Sequence, residues 1–126
     1  MSFVLDSSAI LALMWREPGG DKVRRVLAES VASTVIEAEL YTKFQDRKVD
    51  EADAIRLVET LNLDFVPFSS QQALIAGHLR SPTRHLGLSL GDRCCLALAM
   101  DMGATVLTAD RAWADLTVGV AIEVIR

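Results

Sequence analysis

The sequence has little cysteine, no long apolar run and no excess of positive charge. Its two cysteines, Cys94 and Cys95, are neighbours in the chain. Adjacent Cα atoms stand ~3.8 Å apart, closer than disulfide geometry normally allows. No C-x-x-C occurs, and neither His78 nor His85 falls at a zinc-ligand spacing from the cysteines. Both observations argue against a disulfide framework or a structural zinc site and leave two small core thiols. The longest apolar runs, AILALMW (9–15) and CCLALAM (94–100), fall far short of the ~20 residues of a membrane span. The opening MSFVLDSSAILALMW has no basic lead and an acid at position 6, a poor secretory signal and a good first strand. A cytoplasmic protein is expected.

Net charge is −4, which argues against a broad, sequence-independent grip on nucleic acid. The distribution qualifies this. Between Asp64 and Asp92 there is no acidic residue, while His78, Arg80, Arg84 and His85 lie there and Arg93 follows. That stretch reads either as a locally positive surface or as a solvated loop with arginines. The absence of G-x-x-x-x-G-K-[ST] speaks against a phosphate-binding NTPase. Asp6 is followed by Ser7 and Ser8 rather than by an acid two residues on, which disfavours an aspartyl-phosphate phosphatase. No repeat, linker or low-complexity tract is present.

What is there fits one domain over residues 1–126. The chain is 51% hydrophobic and 24% charged, the balance of a globular protein rather than a disordered one. FVLD (3–6) reads as a buried strand ending in an acid. SSAILALMWRE (7–17) follows with helical spacing and is stopped by PGG. DKVRRVLAES (21–30) has one apolar helical face, and VAST (31–34) is a short strand or turn. Helices are expected over 35–48 and 49–62, a strand over 64–68 near a sheet edge because of Pro67, and a helix over 69–80. Residues 81–89 read as a loop, 91–103 as a helix closed by Gly103, 104–110 as a strand ending in an acid, and 120–125 as a last strand. Strands alternating with helices predict a three-layer α/β/α domain with a central, mostly parallel sheet.

In such a sheet, ligand sites form outside the carboxyl ends of the strands. Asp6 and Asp110 each end a strand, and Asp92 opens a helix that feeds the last of those strands. Glu39 lies one turn into its helix, with Glu37 as a competitor for the same role. Each acid also has a local explanation: Asp6, Asp92 and Asp110 as helix caps or dipole partners, Glu39 as a solvated helix residue. Spacing alone leaves both readings open.

The residue pattern adds to this. VLDSSAILAL, STVIEAELYTKF, LSLGDRCCLALA and VLTADRAW resemble, in order and separation, the motifs of the PIN-domain nucleases, with the VapC-like toxins of toxin–antitoxin pairs as the nearest match. LSLGDRCCLALA and TADRAW are the most specific pieces, and VIEAEL departs from the commoner VNLAEV wording. The resemblance spans essentially the whole chain. It implies a metal site of Asp6, Glu39, Asp92 and Asp110, with Asp6, Asp92 and Glu39 as principal ligands and Asp110 as a ligand or water-orienting acid. It implies a ribonuclease that leaves 5′-phosphate and 3′-hydroxyl ends, homodimerisation, and an antitoxin partner docking over the helices at 35–48 and 49–62. A nuclease of this family that is not a toxin, or an inactive relative acting as a binding module, are the alternatives.

The chemistry agrees with that implication. Clustered carboxylates repel one another or hold protons at raised pKa unless a cation joins them. No lysine is read as lying near the four motifs. Oxygen-only ligands favour Mg²⁺ or Mn²⁺ over zinc, and one ion or two would serve. Ser7, Ser8 and Thr108 are expected to hydrogen-bond the carboxylates. Arg93 and Arg111 adjoin acids and are read as holders of substrate phosphate or as surface salt-bridge partners. Trp113 is read as core, or as a base-stacking platform, and Trp15 as core or dimer contact.

Overall fold

The computed structural model describes residues 2–126. β1 (Phe3–Leu5) is followed by α1 (Ser7–Met14), α2 (Gly20–Val26), β2 (Ser30–Ser33), α3 (Thr34–Asp46), α4 (Glu51–Thr60) and β3 (Asp64–Val66). Then come α5 (Ser70–His78), α6 (Arg80–Thr83), α7 (Leu90–Met102), β4 (Thr105–Thr108) and β5 (Ile122–Val124). Short 3₁₀ turns cover Leu27–Glu29, Arg84–Leu86 and Arg111–Asp115.

The five strands form one sheet in the order β3-β2-β1-β4-β5, and every pairing is parallel. β1 is the central strand, and its apolar Phe3, Val4 and Leu5 are all buried, as a strand covered on both faces requires. The edge strands β3 and β5 are only partly buried, and Pro67 follows the first of them, where no ladder donor is lost. Helical crossovers carry the chain from β1 to β2 to β3 in one direction, and the connection after β3 returns it to β4 on the other side of β1. The strand order therefore reverses between β1 and β4, and the crevice at their carboxyl ends is the topological switch point.

Register fixes what meets there. Leu5 pairs with Leu107, the ladder continues through the Asp6 amide to the Leu107 carbonyl at 3.2 Å, and Asp6 comes level with Thr108. α7 crosses β1, β2 and β4 and starts at the same rim, while α1 packs on β1 and β4. The interior of α7 is Cys95, Leu96, Leu98 and Ala99, against Val4, Leu5, Val106 and Leu107 of the sheet. Both cysteines are free and buried, as expected.

Several boundaries differ from the sequence expectation. The second helix begins at Gly20, not 21, and gives way to a 3₁₀ turn, so that Ser30 already belongs to β2. Gly19 sits at φ +92°, and a Cβ on Gly20 would stand 2.5 Å from the Ala12 carbonyl oxygen. The glycine pair thus lets α2 pack backbone to backbone on α1, beyond merely stopping the first helix. Residues 81–89 are not an open loop: α6 and a 3₁₀ turn occupy Arg80–Leu86, tied down by the buried Thr83 hydroxyl donating to the Leu79 carbonyl at 2.7 Å. Turn-forming residues hid this, because Pro82 is compatible with a first helical turn. Trp15 is half-buried, with the Arg47 guanidinium 3.5 Å over its ring centroid.

Leu40 of α3 is fully buried in the central core. Leu40→Ala is expected to cost about 2–5 kcal/mol, read as a lower urea midpoint at unchanged slope. A loss below about 1 kcal/mol contradicts the packing described.

Candidate metal centre

Asp6 is the first residue after β1 and N-caps α1, which the position of a short acid before a helix favours. It is 4% exposed. Its Oδ1 accepts from the Ser8 hydroxyl at 2.7 Å and the Ala9 amide at 2.8 Å, and its Oδ2 accepts from the Thr108 hydroxyl at 2.6 Å. Ser8 in turn accepts from the Ala109 amide at 2.9 Å, and Thr108 from the Asp110 amide at 3.1 Å. The carboxylate is locked across the β1–β4 seam, with an Oδ2 lone pair left over. Burial holds its pKa above the ordinary carboxylate range; the three hydrogen bonds oppose that and the charge of Asp92 adds to it.

Asp92 fills the capping part that its position suggested. Its Oδ2 accepts from the Ser89 amide at 2.9 Å while the Ser89 hydroxyl accepts from the Asp92 amide at 3.1 Å, a complete capping box. At the same time its charge acts on both Asp6 and Glu39. Glu39 is half-buried, and its pKa is also raised, first by burial, then by Asp92, and less by Asp6. The Ser7 hydroxyl beside it and Lys43, one turn on, work the other way. Lys43 corrects the expectation that no lysine lies near the motifs: four residues along α3 is a single helical step. Cys95 is pushed well up by burial and then by the charges of Asp6, Asp92 and Glu39.

The charge of Asp92 thus reaches both Asp6 and Glu39, and that of Asp6 reaches Glu39, at one rim. Glu37, two residues from Glu39 and so on another side of α3, instead acts on Tyr41 together with Glu59. Asp110 stands apart. It is exposed and caps the turn Arg111–Asp115, its Oδ1 accepting from the Ala112 amide at 3.0 Å. Only its backbone joins the Asp6 network, through Thr108.

Two arginines are otherwise engaged. Arg93 donates to the Ala76 carbonyl at 2.9 Å, which straps α7 to α5 and leaves its Nε buried without a partner. Arg111 donates from Nε to the Arg126 carbonyl at 3.1 Å. Trp113 is 1% exposed, core rather than stacking platform.

One contributor escaped the sequence reading. Gly91 precedes Asp92, and a Cβ built on it would stand 2.7 Å from Glu39 Cδ, 3.1 Å from Oε1 and closer still to Oε2. The Glu39 carboxylate occupies the space that a side chain at 91 would fill. The only signal was a glycine in the first turn of a helix, where it costs about 1 kcal/mol against alanine.

The donor set is all carboxylate oxygen, which suits a hard divalent ion. Among the described residues no three His, Cys, Asp or Glu groups close tightly enough to ligate one ion together. Mg²⁺, a hard ion that keeps several waters, takes carboxylate oxygen donors of this type. Asp6, Glu39 and Asp92 are the residues that would hold it.

Fold and site together define a parallel α/β domain with an acidic centre at its switch point. The sequence model of the PIN domain matches residues 3–118, and the chain belongs to that family. The fold is similar to that of DNA-bound VapBC from Salmonella typhimurium, with a TM-score of 0.79 at 18% identity over 100% of this chain and 99% of that one. It is similar to VapBC2 from Rickettsia felis bound to a promoter DNA fragment, at 0.77 and 17% over 98% of each chain. Mycobacterium tuberculosis VapC20, a Sarcin-Ricin loop cleaving toxin, aligns at 0.72 and 16% over 95% of this chain and 99% of that one. Among curated protein sequences none matches. No helix among the described residues is long and apolar enough to cross a membrane.

The raised pKa of Glu39 sets a sign for stability. The folded state holds a proton there more tightly than the unfolded chain does, so stability falls as pH rises from the ordinary carboxylate range through the raised value. In cation-free buffer Glu39→Gln is expected to melt above wild type at pH 7, with the gap closing towards pH 4. A variant that melts at or below wild type at pH 7 contradicts the repulsion described.

Proposed function

We propose that this chain is a metal-dependent endoribonuclease acting as the toxin of a toxin–antitoxin pair. The observation that carries the reading is the grouping of Asp6, Glu39 and Asp92 at the β1–β4 switch point, where the charge of Asp92 adds to the proton affinity of both Asp6 and Glu39. Membership of the PIN family and likeness to VapBC complexes and a cleaving toxin support it. A bound Mg²⁺ or Mn²⁺ would make a water more acidic and stabilise charge on the phosphate oxygens. The chain's own residues divide the remaining work. Asp6, held by three hydrogen bonds, is the fixed anchor. Asp92 commits one oxygen to the helix cap and keeps the other for the site. Glu39, half-buried and reaching the rim from α3, is the third ligand, whose repulsion with Asp92 and Asp6 a cation would relieve. Asp110, whose carboxylate caps the following turn, is a ligand or water-orienting acid in this reading only if its side chain leaves that cap when substrate or cation binds.

The acid-free stretch supplies the opposite charge that an RNA needs. Arg80, Arg84 and His85 are exposed on α6 and the 3₁₀ turn that lead into Asp92, and among the described residues none forms an ion pair. They suit the phosphates of a single strand.

The antitoxin reading draws on a groove of about 260 Å³ lined by Leu13, Met14, Leu27, Leu57 and Leu61, with Arg24 at its edge. It joins α4 to α1 and α2, where the sequence expectation had placed docking on α3 and α4. A homodimer and a cytoplasmic setting complete the reading.

Asp6→Asn and Asp92→Asn are each expected to remove RNA cleavage while leaving the melting curve cooperative, and EDTA to abolish wild-type cleavage until Mg²⁺ or Mn²⁺ is restored. Full activity in both variants refutes the acid assignments, and folded wild type without cleavage favours the binding-module alternative. In an Asp6→Asn background, Arg80→Ala with Arg84→Ala should weaken single-stranded RNA binding. Its salt dependence should flatten by about 0.7 in slope for each phosphate no longer neutralised. An unchanged slope removes these arginines from the substrate path.

A further inference from the structure

Gly91 has no role in capping, in the turn or in the sheet, yet it sits one residue before Asp92, in the first turn of α7. It is buried, its backbone is helical, and no positive φ requires glycine there. A helix of this kind gains stability from alanine at such a position. What alanine would meet first is Glu39: all three of the nearest atoms to a Cβ at 91 belong to that one carboxylate, at 2.7 Å for Cδ and 3.1 Å for Oε1, with Oε2 nearest. Gly91 and Glu39 are interlocked across the two helices that reach the rim. α3 brings a long acid, and α7 leaves the one-carbon gap that receives it.

We infer that Gly91 is a positioning residue for the metal centre: the absence of a side chain at 91 sets Glu39 against Asp92 and Asp6, and so completes the cation site. This rests on the reading of the three acids as a metal centre. The consequence is specific. A methyl group at 91 leaves Asp6 with its Ser8, Ala9 and Thr108 hydrogen bonds and leaves the Ser89–Asp92 capping box intact, because none of those groups is among the atoms it meets. The group it displaces first is the Glu39 carboxylate. The flexible end of a glutamate side chain can swing away, so the fold is retained and the site is not.

The test is a double-mutant cycle between Gly91→Ala and Glu39→Gln, read by calorimetric titration of Mn²⁺ into the purified protein and by thermal unfolding without cation. Gly91→Ala is expected to weaken Mn²⁺ binding about 10- to 100-fold, as removing a supporting group does at metal sites. In the Glu39→Gln background, where the charge is already gone, the same change should cost less than about twofold, since effects through one shared group do not add. An equal loss in both backgrounds means that residue 91 acts through Asp92 or the helix, and overturns the inference while the metal centre stands. Wild type without measurable Mn²⁺ affinity overturns the metal centre itself and the role of Gly91 with it. Should Gly91→Ala fail to fold, Gly91→Ala with Glu39→Ala must recover a cooperative melt, because the nearest obstructing side chain is then removed; a double variant that stays unfolded refutes the interlock.

Discussion

Asp6 and Glu39 carry burial and the charge of Asp92 at the edge of an apolar core, and that electrostatic cost is the constraint on which the account of the site depends. A fold that only needed caps for its helices would let these acids face water. Here Asp6 is buried, Glu39 is half-buried, and both hold protons more tightly than free carboxylates do. The hydroxyls of Ser7, Ser8 and Thr108 and the cation of Lys43 lessen the cost without removing it. Natural chains keep such unfavourable arrangements at sites of function and offset them elsewhere. The offset is visible: an all-parallel sheet with a fully buried central strand and a helix, α7, whose inner face is entirely apolar.

The sheet topology explains why these residues meet although they lie far apart in sequence. The reversal of strand order between β1 and β4 opens a crevice at one end only, and both flanking strands deliver polar residues into it. Asp6 arrives from β1 and Thr108 from β4, in register, and they bond to each other. α3 and α7 begin at the same rim, so each can add an acid from its first turns without any loop having to carry it. Acids set on helices and strand ends, rather than on loops, are fixed in position by packing.

Much of the fold was legible in the sequence for physical reasons that show in particular residues. FVLD and TVLT are short apolar runs that only a doubly covered strand can bury, and Gly103 closes α7 at φ +65°, as the sequence predicted. The hydroxyls of Ser7, Ser8 and Thr108 lie beside the acids as expected. What escaped was anything decided by packing between elements. Pro82 and its polar neighbours looked like a loop but form a helical turn held by a buried threonine. For Asp110 the sequence left cap and site both open, and packing turns its carboxylate to the Ala112 amide of the following 3₁₀ turn. Glu37 and Glu39 were indistinguishable until the helix was seen against α7. Gly91 was invisible, since a missing side chain reports nothing about what fills its place.

The central claim is that Asp6, Glu39 and Asp92 share a hard divalent cation. Anomalous diffraction from crystals grown with Mn²⁺ tests it directly. The account predicts one strong Mn²⁺ peak between these three carboxylates, bound directly or through water, with no peak of equal height elsewhere on the molecule. A peak away from the three acids, or a site left without density at saturating Mn²⁺, would contradict it.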